Sequence, residues 1–199
     1  MFVLDEALQA SYDSLFNDCQ INENSQDDAD RIIQKIVSNR QRYEEVSSNL
    51  NIPWFVIAVI HNMESGLSFN THLHNGDPLS ARTVHVPAGR PAKGDPPFSW
   101  EESAVDALQL EGFDHWTDWT IPGICFKLEK YNGIGYRGHG INSPYLWGSS
   151  NNYTSGKYVQ DGVFSPTAVS KQIGAMVILK LMQDQEIISL ADEMETQPG

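Results

Sequence analysis

Residues Ile52-Pro53-Trp54-Phe55-Val56-Ile57-Ala58-Val59-Ile60 form an unbroken apolar run that continues into His61-Asn62-Met63-Glu64-Ser65-Gly66. Proline in the first turn and glycine just past the end are helix punctuation. A helix apolar on nearly every face has to be enclosed by other elements. The run falls well short of the roughly 18 residues that span a bilayer, so the enclosing elements must come from the chain itself. The sequence therefore predicts a central buried helix, and that helix ends on a carboxylate. Both the helix dipole and burial disfavour an anion there, which makes Glu64 the first candidate for chemistry.

The flanking segments supply the enclosure. From Asp27 the residues Ile32, Ile33, Ile36, Val37, Tyr43, Val46 and Leu50 recur at helical spacing, with Asn49 and Asn51 marking a break before the apolar helix. Ser99 predicts the cap of a helix over 100–110, with Glu101 and Glu102 in its first turn. Residues 116–132 read as a further helix, with Pro122 near its start and Gly133 at its end. Ser165-Pro166 opens a last long helix. Between these, Asn75-Gly76-Asp77-Pro78 is a turn signal beside β-prone residues, and a proline-rich loop extends from Pro87 to Pro97. Residues 131–162 hold five of the seven tyrosines and only three charged residues. The fold class is mainly α with a small β-hairpin region after the central helix and a long Tyr/Gly-rich loop. Residues 1–25 read as an acidic docking segment and 26–199 as the main domain.

Charge narrows the partners. With 26 acidic against 13 basic side chains, the chain lacks the Lys and Arg surplus that phosphate neutralisation requires, which excludes nucleic acid as a partner. No basic n-region precedes an apolar stretch, so a cytoplasmic product without a signal peptide is expected. Cys19 and Cys125 have no metal or redox spacing. One disulfide between them stays open beside two separate buried thiols, the commoner arrangement.

Cleaving a glycosidic bond takes one carboxylic acid to protonate the leaving oxygen, and often a second carboxylate to activate water. An apolar surrounding keeps the acid protonated by penalising its charged form. Glu64 suits the first role, and Asp77, in a polar turn, suits the second. Tyr131, Asn132, Tyr136, Tyr145, Trp147 and Tyr158, with Asn75 near the turn, supply the aromatic faces and amides that bind sugar rings. His72, His74 and His85 are a looser set, open to zinc in an amidase or endopeptidase. No HExxH, GxSxG, Walker or dinucleotide pattern occurs, and neither a metal nor a cofactor is expected.

The segment from Ile52 to Gly66 resembles the glutamate-bearing helix of the lysozyme-like superfamily, in its lytic transglycosylase and goose-type branch. Leu128-Glu129-Lys130-Tyr131-Asn132-Gly133 with Gly135-Tyr136 resembles the later helix-and-turn motif of the same superfamily. The run from His72 to Leu79, with Arg82-Thr83 and Val86-Pro87-Ala88-Gly89-Arg90-Pro91, is similar to a phage endolysin-like group. The resemblance covers roughly residues 30–182. It implies a bacteriolytic, lysozyme-like peptidoglycan hydrolase that cleaves between N-acetylmuramic acid and N-acetylglucosamine. Glu64 would be the general acid, while Asp77 and Thr83, six positions apart as in phage-type lysozymes, would hold the water. Glycan strands would be its partner, with release to the wall through a holin-type lesion and no membrane insertion. A lytic transglycosylase leaving 1,6-anhydro ends, a non-catalytic glycan-binding module and a chitinase or chitosanase remain open beside it.

Overall fold

The computed structural model describes residues 2–191 and is mainly helical, with one small antiparallel hairpin. The chain forms two compact units, one comprising residues 1–31 and 118–199 and the other 32–117. Among the described residues no helix is long and apolar enough to cross a membrane.

The 32–117 unit is built on the apolar helix. Helices α1 (Glu6–Asn17) and α2 (Gln26–Ser38) come first in the chain, then α3 (Arg40–Leu50), α4 (Trp54–Ser65) and α5 (Trp100–Leu110). Every residue of α4 from Val56 to Met63 is buried, as a helix apolar on all sides requires. Helix α3 packs on both α4 and α5, presenting Tyr43, Val46 and Leu50. The start of α5 is a full capping box: Ser99 Oγ accepts from Glu102 N–H and Glu102 accepts from Ser99 N–H. Gly66 ends α4 at φ 59°, with its N–H on Asn62 O, a left-handed conformation that glycine adopts without penalty.

Four expectations are revised by the structure. The helical period from Asp27 to Leu50 is two helices, split at Asn39, where Ser38 and Asn39 side chains donate to the carbonyls of Gln34 and Lys35. Those bonds satisfy the open end of α2 and compete with its continuation. Residues 70–97 form no hairpin, only an isolated bridge between Thr71 and Pro78. Prolines there have no N–H for a ladder. The helix predicted over 116–132 is α6 (Ile121–Asn132), starting where Thr120 Oγ1 accepts from Gly123 N–H. The last helix begins at Ala175, not at Pro166 (α8, Ala175–Asp184). Its predicted first turns are extended or irregular because their backbone groups serve distant partners: Ala168 O takes Gly156 N–H, and Tyr153 OH takes Ser170 N–H.

The other unit packs α6 against α1 and against the short α7 (Pro144–Trp147), which in turn meets α8. Helix α1 packs into this unit through Tyr12 and Phe16, which are fully buried. The hairpin lies here, with β1 (Lys157–Gln160) pairing β2 (Val163–Ser165) in the register Lys157 with Ser165 and Tyr158 with Phe164. Its turn, Asp161-Gly162, has Gly162 at φ 69°, a hairpin signal of the Asp-Gly kind. Cys19 and Cys125 are both buried and unbridged.

Candidate functional site

Glu64 stands on the last turn of α4, held by the most thoroughly buried helix of its unit, yet its own side chain is exposed. That corrects the sequence reading. The apolar positions of α4 enclose the residues through Met63, and Glu64 lies on the turn that leaves the core. A rigid backbone with a solvent-facing carboxylate is still a sound platform for a group that must meet a large substrate.

Asp77 and Thr83 have different surroundings. Asp77 is 7% exposed. Its Oδ2 accepts from the N–H groups of Val84 and His85 at 2.8 and 3.0 Å, and its Oδ1 lies 2.6 Å from His85 Nδ1. The backbone N–H of His85, then its ring, then the N–H of Val84 hold the carboxyl well below the usual carboxylate range. Thr83 Oγ1 donates to Pro87 O at 2.5 Å and accepts from Arg90 N–H at 2.9 Å. Both side chains are thus clamps of the 77–91 loop. Asn75 belongs to the same clamp: its Oδ1 accepts from Asp77 N–H and its Nδ2 donates to His85 O. The loop tip they hold carries Val84 and Val86, 74% and 89% exposed.

The histidines do not gather into a metal site; among the described residues no cluster of three ligating side chains occurs. His72 is buried, with Nε2 donating to Ala81 O and Nδ1 accepting from Ser103 Oγ, both at 2.8 Å. His74 Nε2 bonds Asp106 Oδ2 at 2.7 Å, and Arg90 Nε donates to the same oxygen at 2.8 Å. Burial, opposed by Asp106, shifts His74 downward. His85 is committed to Asp77. His61, on α4, is a core residue: its Nε2 faces Ser68 O, a pure acceptor, so the ring carries its proton there and Nδ1 accepts from Tyr43 OH at 3.0 Å. Burial pushes His61 down to about 4.

The predicted sugar-binding residues lie in the unit formed by 1–31 and 118–199. Tyr131 is half-buried and Asn132 exposed at the end of α6. The rings of Tyr131 and Tyr145 meet edge-on at 6.3 Å. Tyr136 and Tyr158 meet at 5.1 Å, and Tyr158 also lies against Phe164 at 5.4 Å. His139 stacks on Phe164 at 3.7 Å. This gives the 134–164 segment a cluster of four rings, of which Tyr158, Phe164 and His139 reach solvent. Trp147, by contrast, is 1% exposed and is interior, not an open stacking face.

One site was not anticipated. Glu129, on the last turn of α6, is 2% exposed. Its Oε2 accepts from Tyr12 OH and, at 2.6 Å, from Arg137 Nη2, which also donates to Tyr12 OH at 2.8 Å. Burial first, then the bond to Glu129, raises the Tyr12 phenol above its ordinary value. The signal for Glu129 was present: it comes after the buried Cys125 and Ile121 at four-residue steps, so it shares their inward face.

No family model, curated protein or solved structure matches this chain.

Proposed function

We propose that this chain is a lysozyme-like glycosidase that cuts peptidoglycan between N-acetylmuramic acid and N-acetylglucosamine, with Glu64 as the general acid. The observation that carries the reading is Glu64 itself, an exposed carboxylate on the end of a helix whose preceding eight residues are buried. Glycan covering that carboxylate on binding would remove it from water, and an apolar surrounding favours the protonated form that a general acid needs. The half-exposed Tyr131 and Tyr158 suit sugar rings. Delivery to the wall through a holin-type lesion belongs to the same proposal.

The bonds on Asp77 and Thr83 favour the one-carboxylate version of the reaction. Asp77 accepts from two backbone N–H groups and meets the His85 ring, and Thr83 both donates and accepts within the loop. Activating water with either would mean breaking the loop clamp. With Glu64 alone, the muramic acid's own hydroxyl attacks and leaves a 1,6-anhydro end, as in a lytic transglycosylase. The test is mass spectrometry of the soluble fragments released from purified peptidoglycan. Anhydro ends fit this reading, and reducing muramic ends would return Asp77 to the mechanism of a muramidase. Release of no glycan fragment would overturn the glycosidase reading and leave glycan binding without cleavage.

A further inference from the structure

The triad of Tyr12, Glu129 and Arg137 forms one side of a cavity of about 150 Å³, completed by Asn142, Ser143 and Trp147. Tyr12, Glu129, Ser143 and Trp147 are buried and form its floor, while Arg137 and Asn142 are exposed and mark its mouth. Ser143 is the informative residue. It is 1% exposed, and its hydroxyl has no hydrogen-bond partner among the described residues. It precedes Pro144 at the start of α7 yet makes no capping bond. A buried hydroxyl left unpaired costs about 1–3 kcal/mol, so a group that enters the cavity and pairs with it is favoured.

The lining describes that group. Glu129 and Arg137 cancel in charge, so neither a free cation nor a free anion is selected. Both protein bonds to Glu129 land on Oε2, which leaves Oε1 as an acceptor. Asn142 donates through Nδ2 to Asn152 O, which leaves its amide oxygen to accept. Arg137 offers further N–H donors, and Ser143 can do either. An apolar cavity of about 150 Å³ admits a six-membered aromatic ring. A polar cavity of that size, with tyrosine and tryptophan in its wall, calls for a ring of similar size that bears hydroxyls.

We infer that this cavity is a binding site for a single neutral pyranose, whose hydroxyls pair with Ser143, Glu129 and Arg137. It lies wholly within the unit formed by 1–31 and 118–199 and uses no residue of the glycosidase proposal except Trp147. The inference therefore stands or falls apart from catalysis by Glu64.

The experiment titrates N-acetylglucosamine into the 15N-labelled full-length Glu64→Gln protein and tracks the Trp147 indole and Arg137 Nε resonances. Millimolar sugar is expected to shift both, with affinity falling about five- to tenfold in a Glu64→Gln chain that also carries Ser143→Ala, the loss of about one hydrogen bond. Silence at both resonances would mean that the cavity holds water only and would overturn the inference. So would equal affinity with and without the Ser143 hydroxyl, which would put the sugar elsewhere. The two resonances decide the matter without the variant, should Ser143→Ala prove unstable. Failure of the parent chain to cleave glycan would bear only on Glu64.

Discussion

Glu64 and Glu129 each sit on the last turn of a twelve-residue helix that is buried along most of its length. One is exposed and the other is 2% exposed. The difference lies in the path of the chain beyond each helix. After Glu64 the chain turns away through Ser65 and Gly66, and the carboxylate is left outside the core. After Glu129 the 3₁₀ segment Ile134–His139 brings Arg137 back to the carboxylate, and α1 brings Tyr12 to it. A carboxylate buried with a cation and a phenol is compensated and structural; a carboxylate presented outward from a rigid helix can meet a substrate. Under the proposed function Glu64 is the glutamate that meets substrate, whereas the bonds of Glu129 to Tyr12 and Arg137 tie it into the fold, and substitutions can separate the two.

Glu64→Gln keeps the shape and removes the proton, and should lower glycan release by on the order of 10²–10⁴ while leaving the unfolding midpoint nearly unchanged. Fragment release and a denaturant melt on one preparation read both. Retained release would break the assignment. Glu129→Ala should act first on stability. Removing one partner of a fully buried ion pair costs about 3–5 kcal/mol; Arg137, 37% exposed on its side chain, can be solvated instead, so about 1–3 kcal/mol is expected in urea melts.

His61 extends the contrast into pH. Its folded value, about 4, lies below the ordinary 6.5, so the unfolded chain binds more protons between the two and stability falls as pH drops through that window. The contribution reaches about 3 kcal/mol at pH 4 relative to neutrality. Denaturant melts at several pH values should show it, and His61→Gln should flatten that slope. Smallest is Gly66→Ala, which places a Cβ at φ 59° where no atom crowds it. About 1 kcal/mol of destabilisation is expected from the backbone alone, read as a small shift in the thermal midpoint. A larger loss of activity than of stability would show that the α4 terminus positions Glu64.

The helices were legible where one residue pattern settled both ends. Helix α5 begins at the predicted Ser99 cap and α4 matches its apolar run and Gly66, because caps and periodicity act within a few residues. The break at Asn39 and the late start of α8 were not legible, since they depend on where side-chain amides and distant carbonyls find partners. The same holds for the hairpin. It was expected beside Asp77, where the N–H groups of Asp77, Val84, His85 and Arg90 go to side chains, and it forms instead within the segment read as a Tyr/Gly-rich loop.

The sequence by itself determined that an enclosed helix would be the centre of one core, that a carboxylate would stand at its end, and that the aromatic and glycine-rich segment would be a region apart in texture. These come from spacing and composition, which each residue carries with it. Only the tertiary structure decided which carboxylates are covered. Asp77 and Thr83 became loop clamps, Trp147 went inside, and Glu129 gained Tyr12 from more than a hundred residues away. Burial and hydrogen-bond partnership are properties of the surroundings, and those surroundings come from parts of the chain that local pattern does not join.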